Sequence, residues 1–193
     1  LVGGPWDDNM RSGYESCGKP VVRLDDLERV DFENYLNAVD FVPQGGTYHD
    51  TGMIWGLRLI SPTGLFAADT AAHPGRNPPN RFIIFMTDGD MSPNACLYGM
   101  YGIERYDRRI TGANQTSCNN AALARHNARF QATCEAARAR NIRVFVIAFG
   151  TSVTTQLSAC ASAGSSYVAT DNAALTTAFA DIAKQVAMLR VSK

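Results

Sequence analysis

The sequence lacks most of the features that announce a common function. Its 18 basic and 18 acidic residues cancel, and no run of lysine or arginine forms a stripe. The electrostatic footprint of a nucleic-acid binder is therefore missing, and no nucleic-acid partner is expected. The longest apolar stretches, Phe82 to Met86 and Val144 to Phe149, fall far short of the roughly 20 residues a membrane span requires. The chain does not open on a basic and then apolar leader; it starts at Leu1 without an initiating Met, so upstream sequence holding any targeting element is expected. No two of the five cysteines make a Cys-x-x-Cys pair, which argues against a zinc site or a thioredoxin-like redox centre. No Gly-x-Gly-x-x-Gly occurs, and no Ser-His-Asp or Cys-His arrangement stands out.

What is present reads as one α/β domain. At 193 residues and 46% hydrophobic, the chain can bury one sizeable core. Residues 1–19 carry no period and read as an irregular lead-in; residues 20–193 form the domain. Val21 to Leu24 suggests a short strand. Phe32, Leu36 and Val39, spaced by four and three behind Asp31 as N-cap, suggest a helix ending before Pro43. After the turn Gln44-Gly45-Gly46-Thr47, a helix is expected from about His49 to Ile60, with Met53, Leu57 and Ile60 on one face. Residues 61–80, with Pro62, Gly64, Pro74, Gly75, Pro78 and Pro79, read as a surface loop.

Residues 81–86 and 142–149 are continuous β-branched or aromatic runs, the pattern of parallel strands covered on both faces. Between them, 119–140 sets Leu123, Phe130 and Ala137 at seven-residue intervals, giving a strand–helix–strand unit with an expected right-handed crossover. A helix over 154–163, a short strand at 167–169 and a last helix from about Asp171 complete a doubly wound, mainly parallel α/β pattern.

In that architecture ligands bind beyond the carboxyl ends of the strands, where Thr87-Asp88-Gly89-Asp90 stands. Two readings of these aspartates compete on the residues alone. In one they cap the next segment through side-chain to backbone hydrogen bonds. In the other they face a ligand, and the enzymatic form of that reading is a metal-dependent phosphohydrolase with Asp88 as nucleophile and Asp90 as acid/base. Ser92 supplies the hydroxyl such enzymes want two positions after the second aspartate, but Asp88 follows two helices and a long loop instead of ending the first strand.

Gly45-Gly46-Thr47, followed by a helix and then by a strand ending in Thr-Asp-Gly, resembles the von Willebrand factor A family. The stretches "GGTYHDTGMIWGLRLISP", "FIIFMTDGDM", "LYGMYGIERYDRRITG" and the tail from "RNIRVFVIAFG" onward are similar to the carboxyl-terminal region of TadG-like proteins of bacterial tight-adherence (Flp) pilus systems. The resemblance implies a metal-ion-dependent adhesion site whose ligands here would be Thr47 and Asp88. The metal implied is Mg²⁺, or Mn²⁺ or Ca²⁺, held by hard oxygen donors and completed by a partner's carboxylate. The family's first loop, Asp-x-Ser-x-Ser, has no counterpart before Thr47; Asp90-Met91-Ser92-Pro93-Asn94 is similar to it but follows the wrong strand. The domain is therefore expected to be amino-terminally incomplete, and metal binding by this chain alone weak or absent.

The resemblance further implies a non-enzymatic interaction module of pilus assembly or surface adhesion, binding a protein partner, with membrane attachment only through an upstream anchor. Its expected place is the periplasm, at the extracytoplasmic face of the inner membrane, or the cell surface. A metal-free structural scaffold is the remaining alternative.

Sequence arithmetic leaves the cysteines open: five choices of the unpaired residue times three pairings of the other four give fifteen schemes. In the oxidising compartment that the resemblance implies, Cys134 and Cys160, on consecutive helices flanking one strand, form the first expected pair. Cys96 and Cys118, which bracket the insertion after Asp88, form the second and leave Cys17 over. Within that insertion Tyr98, Tyr101, Arg105, Tyr106, Arg108 and Arg109 are residue types enriched at protein–protein hot spots. With Asp90, they are the candidate partner contacts; alternatively the tyrosines pack the loop down and the arginines are solvated. His49, His73 and His126 read as ordinary residues, and Asn114-Gln115-Thr116 matches a glycosylation sequon of the kind that arises by chance.

Overall fold

The computed structural model describes residues 19–41, 46–112, 117–120 and 122–191. In chain order these form α1 (Arg29–Leu36), α2 (His49–Ile60), β1 (Phe82–Thr87), β2 (Tyr98–Gly99), β3 (Gly102–Ile103), α3 (Glu104–Asp107), α4 (Leu123–Arg138), β4 (Arg143–Phe149), α5 (Thr155–Cys160), β5 (Ser166–Ala169) and α6 (Asn172–Val191). They fall into two compact units, one built from residues up to Tyr48 together with Ser92–Arg125, the other from His49–Met91 and His126 onward. Cys17 and the sequon at Asn114 lie outside the described residues.

The second unit is α/β: a three-stranded parallel sheet in the order β1-β4-β5, flanked by helices. Side chains alternate between the two faces of a strand, and the register sets Ile83, Phe85 and Thr87 beside Val144, Val146 and Ala148. Over that face, Phe130 of α4 meets the Phe85 ring at 5.2 Å. Two glycines of α2 face the same side chains: a methyl group at Gly52 would touch Phe85, and one at Gly56 would touch Ile83. The opposite face gathers Phe145, Ile147 and Ala169 with Ala178 and Ile182 of α6 into one buried cluster. Arg143 ties α6 down, donating to Gln185 Oε1 at 2.6 Å while its guanidinium lies 4.8 Å above the Phe145 ring.

The helix boundaries follow capping chemistry. Thr154 accepts the Leu157 N–H at the start of α5, and Asp171 accepts the Ala174 N–H at the start of α6, so both helices begin where a side-chain oxygen takes up a free amide. Asn141, with a positive φ of 57°, follows α4, and the Ile142 N–H returns to the Ala137 carbonyl before β4 begins.

Several expectations need correction. β4 is covered on both faces, as its apolar run predicts, but β1 is not. Ile84 and Met86 lie on the α6 side of the sheet and remain 36% and 51% exposed, because α6 covers β4 and β5. Val21 to Leu24 forms no strand. The first helix ends at Leu36, leaving Val39 beyond it and exposed; Glu28, not Asp31, holds the N-cap position, and no side chain of the helix is buried. The long α4 starts at Leu123, and the loop after α2 contains a 3₁₀ turn at Ala67–Thr70.

In the first unit, the disulfide Cys96–Cys118 joins positions 22 apart, and the Ala95 N–H bonds to the Cys118 carbonyl beside it. In the second unit Cys134–Cys160 links α4 to α5, with both residues fully buried. Both pairings are the expected ones. Two disulfides fit an oxidising, extracytoplasmic setting, and no helix among the described residues is long and apolar enough to cross a membrane.

Candidate functional site

β1 delivers its chain end to a hydrogen-bonded turn. The Thr87 hydroxyl donates to the Gly89 carbonyl at 2.9 Å and accepts the Gly89 N–H at 3.3 Å, which folds the backbone back on itself. His49, in the first turn of α2, reaches the same two groups: Nε2 lies 3.1 Å from both Thr87 Oγ1 and the Gly89 carbonyl. A carbonyl only accepts, so the bond to Gly89 requires the proton on Nε2. The His49 ring is buried and meets Phe85 and Phe130 at 5.4 and 5.5 Å.

Burial pushes the His49 pKa below its ordinary 6.5, against the raising influence of the Gly89 carbonyl, Asp90 and Asp50. Between that lowered value and 6.5 the unfolded chain binds a proton that the folded chain does not. Stability from this group is therefore present above 6.5 and is lost as the pH falls through that window. Thr87 and His49 thus form a buried platform, while Asp88 and Asp90 at the turn are exposed.

Thr47 lies in the other unit. Its N–H and carbonyl both pair with Ser92, each at 2.9 Å, forming an isolated antiparallel bridge. Gly46 permits this approach, since a side-chain carbon there would collide with the Ser92 carbonyl. Thr47 and Asp88 offer one hydroxyl and one carboxylate, well short of the octahedral oxygen shell of Mg²⁺. No group of three His, Cys, Asp or Glu side chains that could hold a metal occurs among the described residues. The residues present do not by themselves make a complete metal site.

The insertion is braced from within the first unit. Glu104, buried at the start of α3, accepts the Thr111 N–H at 2.7 Å, the Thr111 hydroxyl at 2.8 Å and the Ile110 N–H at 3.0 Å. Burial alone would raise the Glu104 pKa, but the bonds from Thr111, Ile110 and Arg109 outweigh it and hold the carboxyl below its ordinary 4.5. Asp107 accepts the Ile103 N–H at 2.7 Å; Gly102, at φ 88°, leaves room for that carboxylate where any side chain would strike it.

On this frame Arg105, Tyr106, Arg108 and Arg109 are exposed, Tyr106 at 63%. Tyr101 is half-buried, and the side chain of Tyr98 lies outside what the structure describes. Arg105 also turns back, placing Nη1 3.7 Å from Cys96 Sγ.

The Glu104 bonds set up a first expected result. Glu104→Gln removes the charge and faces an amide N–H₂ toward backbone donors, which should cost about 2 kcal/mol locally. Hydrogen exchange at the Ile110 and Thr111 amides should speed up about thirtyfold at neutral pH. In the parent protein the same protection should fade as the pH falls through the lowered Glu104 pKa, because only there does the folded chain take up the proton. Unchanged exchange in the variant would mean that the carboxylate does not hold the segment.

One group of polar residues carries more than the sequence reading assigned to it. Asp50, next to His49, is fully buried; its Oδ2 lies 2.9 Å from His126 Nδ1 and 3.2 Å from Arg129 Nε, while Oδ1 has no hydrogen-bond partner among the described residues. His126 and Arg129 sit three apart on α4 and so share a helix face. Reading His49 and His126 as ordinary helix residues overlooked two buried polar contacts. The available signal was the His-Asp pair opening an apolar helix together with a His-x-x-Arg spacing on another.

Compared with known proteins, the sequence matches no family model, and no curated protein or solved structure shows significant similarity to it.

Proposed function

We propose that this chain is a von Willebrand A-like interaction module of a bacterial tight-adherence pilus system, working outside the cytoplasm and without enzymatic activity. The observation that carries the reading is the turn at the end of β1. His49 and Thr87 build a buried hydrogen-bonded base, and the carboxylates of Asp88 and Asp90 stand exposed beyond it. A parallel strand that ends in such a turn presents its polar side chains where α/β sheets bind ligands. The doubly wound von Willebrand A topology is the finer form of the α/β sheet described above. The two disulfides support a periplasmic or cell-surface location over a reducing one.

In this reading the partner is another protein component of the assembly. Arg105, Tyr106, Arg108 and Arg109 supply contact types found at interface hot spots, on a segment that Glu104 keeps from collapsing. Asp88 is the candidate ligand to a divalent cation in this reading, and the cation binds weakly to this chain alone.

Calorimetric titration of Mg²⁺ and Mn²⁺ into the protein and into Asp88→Ala tests the reading. Weak saturable heat that disappears in the variant is expected. Equal heats in the two proteins would remove Asp88 from the site. Turnover of p-nitrophenyl phosphate that is lost in Asp88→Asn would overturn the non-enzymatic reading in favour of a phosphohydrolase.

A further inference from the structure

A cavity of about 550 Å³ opens in the sheet-containing unit between α2, the loop that follows it and α4. Its origin lies in the sequence. The α4 stripe that turns this way carries Ala132 and Ala136, too small to fill the space opposite Ile54 and Leu57 of α2, while the loop brings Phe66 to the wall. None of the lining side chains belongs to the Thr87-Asp88-Gly89 turn or to residues 97–112, so this is a separate place on the protein.

Two arginines give the cavity a chemical sign. The Arg58 guanidinium lies 5.2 Å above the Trp55 ring, and Arg140 Nη1 donates to the Ala136 carbonyl at 2.9 Å. Both groups are thus held in position, and each retains further N–H donors. Neither pairs with a carboxylate among the described residues. A pocket of this size, apolar in its walls with a few fixed polar groups, has the form of a small-molecule site. Ser61, Thr63 and Thr133 add hydroxyls to the lining, but positive charge on a mainly apolar pocket selects a ligand whose body is apolar and whose head is anionic.

We propose that this cavity binds an amphipathic carboxylate with a single apolar chain. The chain lies between α2 and α4 against Ile54, Leu57 and Phe66, and the carboxylate meets Arg58 and Arg140. Guanidinium groups suit that head because they donate two parallel hydrogen bonds to a carboxylate and stay charged at every working pH. The site is independent of the metal reading and would stand if that reading failed.

Trp55 lines the cavity and supplies the readout. The chain has two tryptophans, so Trp6→Phe makes Trp55 the single emitter. Decanoate brominated at its last carbon should quench Trp55 saturably. The corresponding bromodecanol, and bromodecanoate with Arg58→Gln/Arg140→Gln, should each bind about tenfold more weakly, the loss expected from a charge-assisted hydrogen bond. Ala136→Phe should abolish saturable quenching while the melting temperature stays within a few degrees. Absence of saturable quenching in the Trp6→Phe protein would overturn the proposal. So would equal affinity for the acid and the alcohol, or quenching undiminished by Ala136→Phe.

Discussion

Asp50→Ala is expected to destabilise the sheet-containing unit by about 3–5 kcal/mol, the range for breaking a buried ion pair from one side. Asp50 is fully inaccessible, and it is the shared acceptor for His126 Nδ1 and Arg129 Nε. Removing it leaves a buried imidazole N–H without this acceptor and takes one carboxylate away from the Arg129 guanidinium, in addition to opening a small void. Carboxylates almost never bury completely without such partners, so the arrangement is costly to assemble and costly to break. Urea denaturation gives the magnitude. Comparison with Asp50→Asn separates charge from shape, because the amide can still accept from one donor but cannot neutralise Arg129. The Asp50→Ala/Arg129→Ala cycle should return a coupling energy well above that of an exposed pair, which seldom exceeds about 1 kcal/mol. A loss below about 1 kcal/mol for Asp50→Ala would mean that water or a shifted side chain takes the place of the carboxylate.

Replacing both Cys134 and Cys160 by alanine should cost about 3.5 kcal/mol on the chain-entropy estimate for a loop closed across 26 positions. The bond links α4 to α5, so the closed loop contains the whole of β4, the central strand. In the unfolded protein this cross-link keeps β4 near both of its flanking helices; without it the strand must find them by diffusion of the chain. Both residues are wholly buried, which shields the sulfurs from reductant until the unit opens. Denaturation followed by the emission of Trp55 in a Trp6→Phe background reports the difference. A double-alanine variant that unfolds at the parent's urea concentration would show that the cross-link contributes nothing to the folded state's advantage.

How much of this could be read beforehand depended on whether the signal was local. β4 was legible because a strand covered on both faces leaves a continuous apolar run, and α2 was legible from end to end because the loop before it and Pro62 after it punctuate the pattern. β1 has the same kind of run, yet one of its faces is partly open; apolar character records what a strand can bury, and neighbours decide how much it does bury. The position of Asp88 past a strand end followed from the Thr-Asp-Gly turn. The grouping of Asp50 with His126 and Arg129 did not, because its partners stand 76 and 79 positions away and no local pattern links them. Glu104 escaped notice for the opposite reason: its partners are only six and seven residues on, but they are backbone amides, which carry no residue-type signal.

The Cys96–Cys118 cross-link has a consequence for the integrity of the protein. It encloses the exposed arginines at 105, 108 and 109, each a point where a trypsin-like protease can cut. A single cut there opens a covalent ring without releasing either end, so the two parts of the polypeptide stay joined through sulfur. Outside the cytoplasm, where proteases meet exposed loops and the bond remains oxidised, a severed backbone in this segment becomes a nick within one continuous molecule.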